Sequence, residues 1–212
     1  MTFQFTYPMY RNLIGILSIL ILMASCHDSR SPILKDLSGK QYKEYQEFKM
    51  GINSEVDSLF NRLAEEDLGG REIRRVRNRI NYLWNQSGIM QVNTVMKIGS
   101  DALENEEFGI ALKAFEEVIK VMPDYPEVWN KRATVFYAMG EYGKALSDIQ
   151  KTLELEERHF GALSGQANIY IKSRQYYLAR EALENLKRIY PSFPELTERL
   201  QEINRRMGVK LA

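Results

Sequence analysis

Hydrophobic and small residues recur along the second half of the chain with a period of 34 residues. The pattern runs without an insertion through three copies, at 92–125, 126–159 and 160–193. Apolar positions spaced by three, four and seven residues make each half of a copy an amphipathic helix. The pattern therefore predicts three helix pairs, which pack closely where small residues stand at the eighth place (Gly99, Ala133, Ala167) and the twentieth place (Ala111, Ala145, Ala179) of each copy.

A fixed period of 34 residues with a helix-turn-helix in each copy is typical of the tetratricopeptide repeat (TPR), and the chain resembles that family over 92–193. The middle copy, PEVWNKRATVFYAMGEYGKALSDIQKTLELEERH, has the family's order of Trp, small, aromatic, Gly, aromatic and Ala residues. The resemblance implies an all-α fold, a TPR solenoid of three helix-turn-helix repeats.

Two further helical segments flank the predicted repeats. Residues 54–91 predict an N-terminal helical hairpin, whose first helix begins at Ser54, the start of a capping box. We expect this hairpin to cover the first repeat, as terminal units cap a solenoid. Residues 194–212 predict a C-terminal capping helix and tail, with Arg199 on the outer side and three apolar residues on the inner side, Leu196, Leu200 and Ile203.

The first 25 residues are typical of a targeting segment, because the apolar run at 13–24 is shorter than the roughly 20 residues that span a bilayer. The order LMASC resembles a bacterial lipoprotein box, which implies cleavage before Cys26 and lipidation of its thiol. An ordinary secretory signal and a short membrane anchor are the alternatives. Residues 26–53 are then a polar tether, unless part of it docks as a helix through Tyr42, Tyr45 and Phe48.

Composition and motifs give little support to catalysis. The net charge of +1 argues against a nucleic-acid partner, which would normally meet a basic excess. The two histidines, His27 and His159, stand far apart, and the sequence has no Cys or His cluster with metal-ligand spacing. It also lacks a Gly-rich phosphate loop and a nucleophile elbow. We therefore predict no cofactor, no metal and no enzymatic activity.

The resemblance implies that the first helix of each repeat lines a concave groove that holds a protein or peptide partner. Residue by residue, it gives a mostly uncharged polar set of partner-binding positions: Asn93, Met96, Ser100, Asn130, Thr134, Tyr137, Ser164, Asn168 and Ile171. Such side chains can hydrogen-bond the backbone of an extended peptide. Met96 and Ser100 stand where carboxylate-capturing repeat domains have Lys and Asn, so capture of a C-terminal carboxylate is not expected. The alternative is a groove that is only solvated, or is filled by the chain's own N-terminal segment.

These observations predict a non-enzymatic interaction scaffold of the bacterial envelope, exported to the periplasm and anchored to a membrane through Cys26. The segments LWNQSG, WNKRATVFYAMGEYGKALSDI and RHFGALSG resemble a family of small exported bacterial repeat proteins, which supports the architecture and the compartment.

An accessory or regulatory subunit of a cell-wall enzyme is the alternative function. It would bind through the convex face or through the densest basic run of the chain, Arg71, Arg74, Arg75, Arg77 and Arg79. The interpretation that such runs favour is a solvated helix face, here paired with Glu65, Glu66, Asp67 or the acidic stretch at 104–107.

Overall fold

The computed structural model describes Leu34, residues 39–65 and residues 68–208, and within them it has nine α-helices and no strand. The all-α prediction is confirmed. No helix in this part of the chain combines the length and the apolar character needed to cross a bilayer. The predicted signal segment and Cys26 lie outside the described residues. The helices are α1 Gly39–Leu63, α2 Gly70–Trp84, α3 Met90–Glu104, α4 Phe108–Val121, α5 Pro126–Ala138, α6 Tyr142–Leu155, α7 Phe160–Lys172, α8 Tyr176–Ile189 and α9 Leu196–Arg206.

The three predicted helix pairs are α3/α4, α5/α6 and α7/α8, and the helices of each pair pack against each other. The close contacts fall where the pattern of small residues predicts them. At Gly99 a Cβ atom would lie 2.6 Å from Cε1 of Phe115 on the partner helix. The alanines at the twentieth place, Ala111, Ala145 and Ala179, are fully buried. Small side chains therefore set the distance between the two helices of each repeat.

The turn inside each repeat has the same backbone geometry. Glu106, Gly140 and Arg174, one from each copy, all adopt a left-handed conformation with φ of 60°, 78° and 57°. In each turn the following residue donates its N–H to the carbonyl five residues earlier, as Glu141 does to Phe136 at 2.8 Å. This is the Schellman closure of a helix, for which glycine is the preferred left-handed residue. The middle copy has that glycine. The outer copies have Glu106 and Arg174 there, whose backbones adopt the left-handed conformation at a cost in strain.

The N-terminal hairpin begins earlier than the sequence pattern predicts. Helix α1 starts at Gly39, so Ser54 lies inside the helix and the predicted tether ends before Gly39. The buried ring of Tyr45 holds this extension, because its hydroxyl donates to the Asp124 carbonyl oxygen at 3.1 Å. Lys49 donates to the same oxygen at 3.0 Å. The alternative that Tyr42, Tyr45 and Phe48 belong to a docked helix is therefore correct.

Helix α1 runs along the turns that join successive repeats. Tyr45 contacts the turn between the first and second repeats, and Asp57, about 18 Å further along the helix, contacts the next turn. There Arg158 donates to the Asp57 carboxylate at 2.7 Å and lies over the Phe60 ring at 4.7 Å. The hairpin is thus a brace that extends from the first repeat to the third, beyond the first repeat that the sequence predicts it to cover.

Aromatic side chains fix the hairpin against the start of the third repeat. The Trp84 ring, at the end of α2, lies 4.9 Å from Phe160 and 5.9 Å from Phe60 between ring centroids. Phe160 in turn lies 5.6 Å from Tyr190 at the end of the same repeat. These residues belong to one hydrophobic cluster that also contains Leu196, Leu200 and Ile203 of α9. The predicted apolar face of the C-terminal helix is confirmed.

Replacing Gly99 with alanine tests the predicted helix contact. The new methyl group would collide with the Phe115 ring, so we expect Gly99→Ala to lower the free energy of unfolding by about 1–3 kcal/mol. Gly109→Ala, on an open helix surface, is the matched control and should be neutral or stabilising by about 0.5–1 kcal/mol. Urea titration followed by circular dichroism measures both, and equal stabilities of the two variants would contradict the contact.

Candidate binding groove

The first helices of the second and third repeats, α5 and α7, line a cavity of about 550 Å³ that we call the groove. Each of these helices presents hydrogen-bonding side chains at intervals of three to four residues, which places them on one helical face. Five of the nine predicted partner-binding residues meet here: Asn130, Thr134, Tyr137, Ser164 and Asn168. The groove therefore brings together the predicted positions of two repeats.

One wall of the groove comes from the N-terminal hairpin. Helix α2 contributes Arg77, Asn78 and Asn81 to the lining. Arg77 is half-buried as a residue, and its guanidinium donates to Oδ1 of Asn78 at 3.3 and 3.4 Å in an exposed contact. In the sequence Arg77 stands only in a basic run, because periodicity shows which face a residue shares but not what that face packs against. The brace position of the hairpin is what brings this arginine to the groove.

The C-terminal helix places a second arginine beside the groove, where it is hydrogen-bonded to two of the lining residues. Arg199 donates from Nη1 to Ser164 Oγ at 3.1 Å and from Nη2 to Asn168 Oδ1 at 2.6 Å. Its side chain is half-buried, and burial lowers the pKa of its guanidinium. The prediction that Arg199 lies on the outer side of the helix is wrong. The sequence spacing indicates the correct placement, because Arg199 lies three residues after Leu196 and four before Ile203 and so shares their face of the helix.

The first repeat contributes less to the groove than predicted. Met96 is 4% exposed and packs in the core of that repeat, so its assignment as a partner-binding residue is wrong. The Asn93 carboxamide is used within the chain, since its Oδ1 accepts from the Ser87 hydroxyl at 2.7 Å and from the Ser87 N–H at 2.9 Å. Ser100 and Ile171 are half-buried and lie outside the lining of the groove. The turn that contains Ser87 connects the hairpin to α3. Because Asn93 lies in the first turn of α3, its side chain reaches back and stabilises this connection.

A buried acid–imidazole pair lies directly beneath the groove. Nε2 of His159 lies 2.9 Å from Glu127 Oε2, and its Nδ1 accepts the Ala162 N–H at 3.2 Å, so the ring caps helix α7. The imidazole stacks on Trp84 with centroids 4.3 Å apart and an interplanar angle of 13°. Both members are at most 5% exposed, which leaves no room for a substrate. The described residues contain no group of three or more potential metal ligands.

The ionisation of Glu127 is controlled by its neighbours. Burial opposes the charged form, but the hydrogen bond with His159 and the ammonium of Lys131, at 3.7 Å, outweigh it and hold the pKa below its ordinary value of 4.5. A carboxyl group with a lowered pKa in the folded state stabilises the fold above its ordinary pKa. That contribution is lost as the pH falls through the lowered value. The pair therefore joins the second and third repeats more firmly above pH 4.5 than in more acidic solution.

The basic run of α2 pairs differently from the prediction. Arg79 forms a two-point ion pair with Glu55 of α1, with distances of 2.6 and 3.0 Å, so it closes the hairpin internally. Arg77 faces the groove, as described above. Arg71, Arg74 and Arg75 are exposed. Of the carboxylates predicted to pair with the run, Glu66 and Asp67 lie outside the described residues.

Comparison with known proteins identifies the class of this helical array. A family model described as tetratricopeptide repeat matches residues 96–153 and 130–194. A TPR repeat-containing protein of Rhizobium etli is 39% identical over 137 residues, which cover 65% of this chain and 67% of that protein. Tetratricopeptide repeat protein 12 of Mus musculus is 22% identical over 144 residues, but these span only 19% of its length. The chain belongs to the tetratricopeptide-repeat family.

Solved structures show the same fold at low sequence identity. The first TPR domain of Spaghetti (RPAP3), bound to the HSP90 peptide SRMEEVD, is 16% identical and gives a TM-score of 0.53. The match covers 55% of this chain and 95% of that domain, and the first TPR domain of human RPAP3 in solution aligns with a TM-score of 0.52. Proteins of this family commonly mediate protein–protein interactions and are typically non-enzymatic scaffolds. The predicted fold class is thereby confirmed.

Replacing Glu127 with glutamine tests the buried pair through pH. The variant keeps the shape of the side chain but has no carboxyl group to protonate, so its stability should fall less steeply than that of the wild type below pH 4.5. Melting temperatures measured from pH 7 to pH 3 give the slope. Glu184→Gln on the exposed surface of α8 is the control and should follow the wild type. Parallel curves for wild type and Glu127→Gln would contradict this assignment.

Proposed function

We propose that this TPR protein is a non-enzymatic scaffold that holds a protein or peptide partner in the groove. The observation that carries the proposal is the convergence of hydrogen-bonding side chains from three parts of the chain on one cavity of about 550 Å³. Asn81 comes from the hairpin, Asn130 and Thr134 from the second repeat, and Asn168 from the third. An extended peptide offers one donor and one acceptor per residue, which such side chains can satisfy.

The walls of the groove favour a short extended segment as the occupant. Helix α2 bounds one side, and Phe193 and Pro194 bound the end that leads to α9. Apolar surface from Ala133, Ile149 and Ile169 forms part of the lining beside the polar groups. Apolar walls with a few placed polar groups are typical of sites that recognise a specific ligand.

The proposed compartment is the bacterial envelope, with the chain anchored by a lipid on Cys26. Support comes from the sequence, in which a short apolar run ends in LMASC directly at the single cysteine. Two acyl chains add buried methylene groups at about 0.8 kcal/mol each, which is enough to retain a protein on a membrane. The groove would then act on partners close to a membrane surface.

An accessory subunit of a cell-wall enzyme is the second candidate. The exposed arginines of α2, Arg74 and Arg75, favour it, because they lie on the hairpin outside the groove and form no ion pair with another described residue, unlike Arg79. A partner bound there would contact the hairpin and leave α5 and α7 open. The two candidates therefore differ in which surface of the chain the partner covers.

Site-specific crosslinking in intact cells distinguishes the two surfaces. A photoreactive phenylalanine analogue replaces Tyr137 in the groove, Arg75 on the basic helix, or Tyr177, which is 76% exposed on α8 and serves as the control. We expect a discrete crosslinked product from position 137, identified by mass spectrometry, that is absent at position 177. The double variant Asn130→Ala with Thr134→Ala should reduce it. A product from position 75 alone would favour the accessory subunit.

The Cys26→Ser variant tests the anchor independently of the groove. Without the thiol no lipid can be attached, so we expect soluble protein or unprocessed precursor in place of membrane-bound protein. Cys26 precedes the repeats in the sequence, and we expect them to melt as in the wild type. Metabolic labelling with a fatty-acid analogue, followed by fractionation, is the measurement. A wild-type chain that takes up no label would contradict the proposed anchor and leave the groove proposal intact.

A further inference from the structure

Arg199 is a half-buried cation that has neutral hydrogen-bond partners in the folded chain. Its two terminal nitrogens donate to Ser164 and Asn168, and these bonds fix the plane of the guanidinium at the edge of the groove. Among the described residues, the ion pairs of α9 are made by Arg205 and Arg206 with Glu202. Glu195 is exposed and acts on Arg199 only at longer range. A desolvated charge without a counter-ion is costly, and an anionic ligand would remove that cost.

The surroundings of Arg199 are electropositive. Of the described residues that line the groove, Arg77 carries a charge and none is acidic. Glu127, beneath the groove, is hydrogen-bonded to His159 and paired with Lys131, and Glu195 is exposed outside the lining. The whole chain has a net charge of only +1, so this local excess is a property of the groove and not of the composition. Cationic walls around a partly desolvated cavity attract and orient negative groups.

We infer that Arg199, assisted by Arg77, binds the carboxylate of an aspartate or glutamate side chain in the extended segment of the partner. The inference rests on the proposed function, since it names the chemistry of the segment that the groove holds. A guanidinium has five N–H donors, and Arg199 uses two of them within the chain. The others remain for a carboxylate, which arginine binds in a planar fork geometry.

An acidic side chain fits this site better than the C-terminal carboxylate of a peptide. Capture of a terminus in the resembled repeat domains needs cationic and amide side chains in the first repeat. Here those places hold Met96, which is buried, and Ser100, which lies outside the groove. The two cations of this site come instead from the elements that flank the repeats, Arg77 from α2 and Arg199 from α9. Arg77 lines the groove, and Arg199 is hydrogen-bonded to Ser164 and Asn168 of the same lining, where a continuous segment would pass.

Charge reversal at Arg199 tests the inference directly. A library of random twelve-residue peptides, displayed without free C-termini, is selected in parallel on the full-length wild-type chain, on Arg199→Glu and on Arg205→Glu. Arg205 lies on the same helix but faces solvent, so it controls for the change in net charge. We expect an aspartate or glutamate at one fixed position of the wild-type motif, its replacement by lysine or arginine with Arg199→Glu, and an unchanged motif with Arg205→Glu.

Synthetic peptides then measure the strength of the contact. A peptide with the selected sequence and its Glu→Gln or Asp→Asn counterpart are titrated by fluorescence anisotropy against wild type, Arg199→Gln and Arg77→Gln. On the wild type, removal of the charge should weaken binding about tenfold or more. On Arg199→Gln both peptides should bind within about twofold of each other, because the two changes remove one shared interaction. Arg77→Gln should reduce the difference without abolishing it.

Each alternative outcome has a distinct meaning. Peptides that bind the wild type without an acidic preference, or whose preference survives Arg199→Gln, would overturn this inference and leave the groove function standing. Enrichment only from a second library with free C-termini would show that a terminal carboxylate is the ligand and overturn the choice of a side chain. No enrichment from either library by the wild type would overturn the proposed peptide-binding function itself. Melting temperatures confirm that each variant is folded, and Arg199→Gln decides the case if Arg199→Glu unfolds.

Discussion

The stacking of the His159 imidazole on the Trp84 indole is the contact on which the arrangement of the chain depends. It joins the last residue of the N-terminal hairpin to the turn that begins the third repeat. The same imidazole fixes Glu127 in the second repeat and caps helix α7. Because Trp84 ends the helix that carries Arg77 and Asn81, the contact also sets the position of one groove wall. This pair of rings thus connects the hairpin with the second and third repeats.

The repeats were predictable because their cause is local. Within each repeat, the two helices pack closely only if a Gly or Ala stands at the eighth place and an Ala at the twentieth. The Gly99–Phe115 contact shows this requirement. Such a requirement recurs with the repeat and therefore appears as a period in the sequence. The polar groove residues of the second and third repeats follow from the same register. Asn130 and Asn168 lie in the groove because the helices that carry them are placed by those small residues.

The hairpin course and the two arginines were not predictable, for a different physical reason. Tyr45 and Asp124 are 79 positions apart, and their contact has no periodic trace in the sequence. Arg199 is charged, and charged side chains are usually solvated, yet it is half-buried and its guanidinium donates to two neutral oxygens. Met96 shows the converse, since a groove place in the family register is occupied by a side chain that the core of this chain buries.

The brace changes how the chain is expected to fold. In an open array each repeat contacts only its neighbours, so folding can begin anywhere and the end units open on their own. Here Asp57 contacts Arg158 across 101 positions, and forming that contact closes a long loop of chain. The entropy lost in such a closure rises only slowly with loop length, but it must be overcome before the contact stabilises anything. The third repeat is consequently expected to unfold together with helix α1 and not separately from its own end. We also expect the two to assemble more slowly and more cooperatively than neighbouring repeats of an open array do.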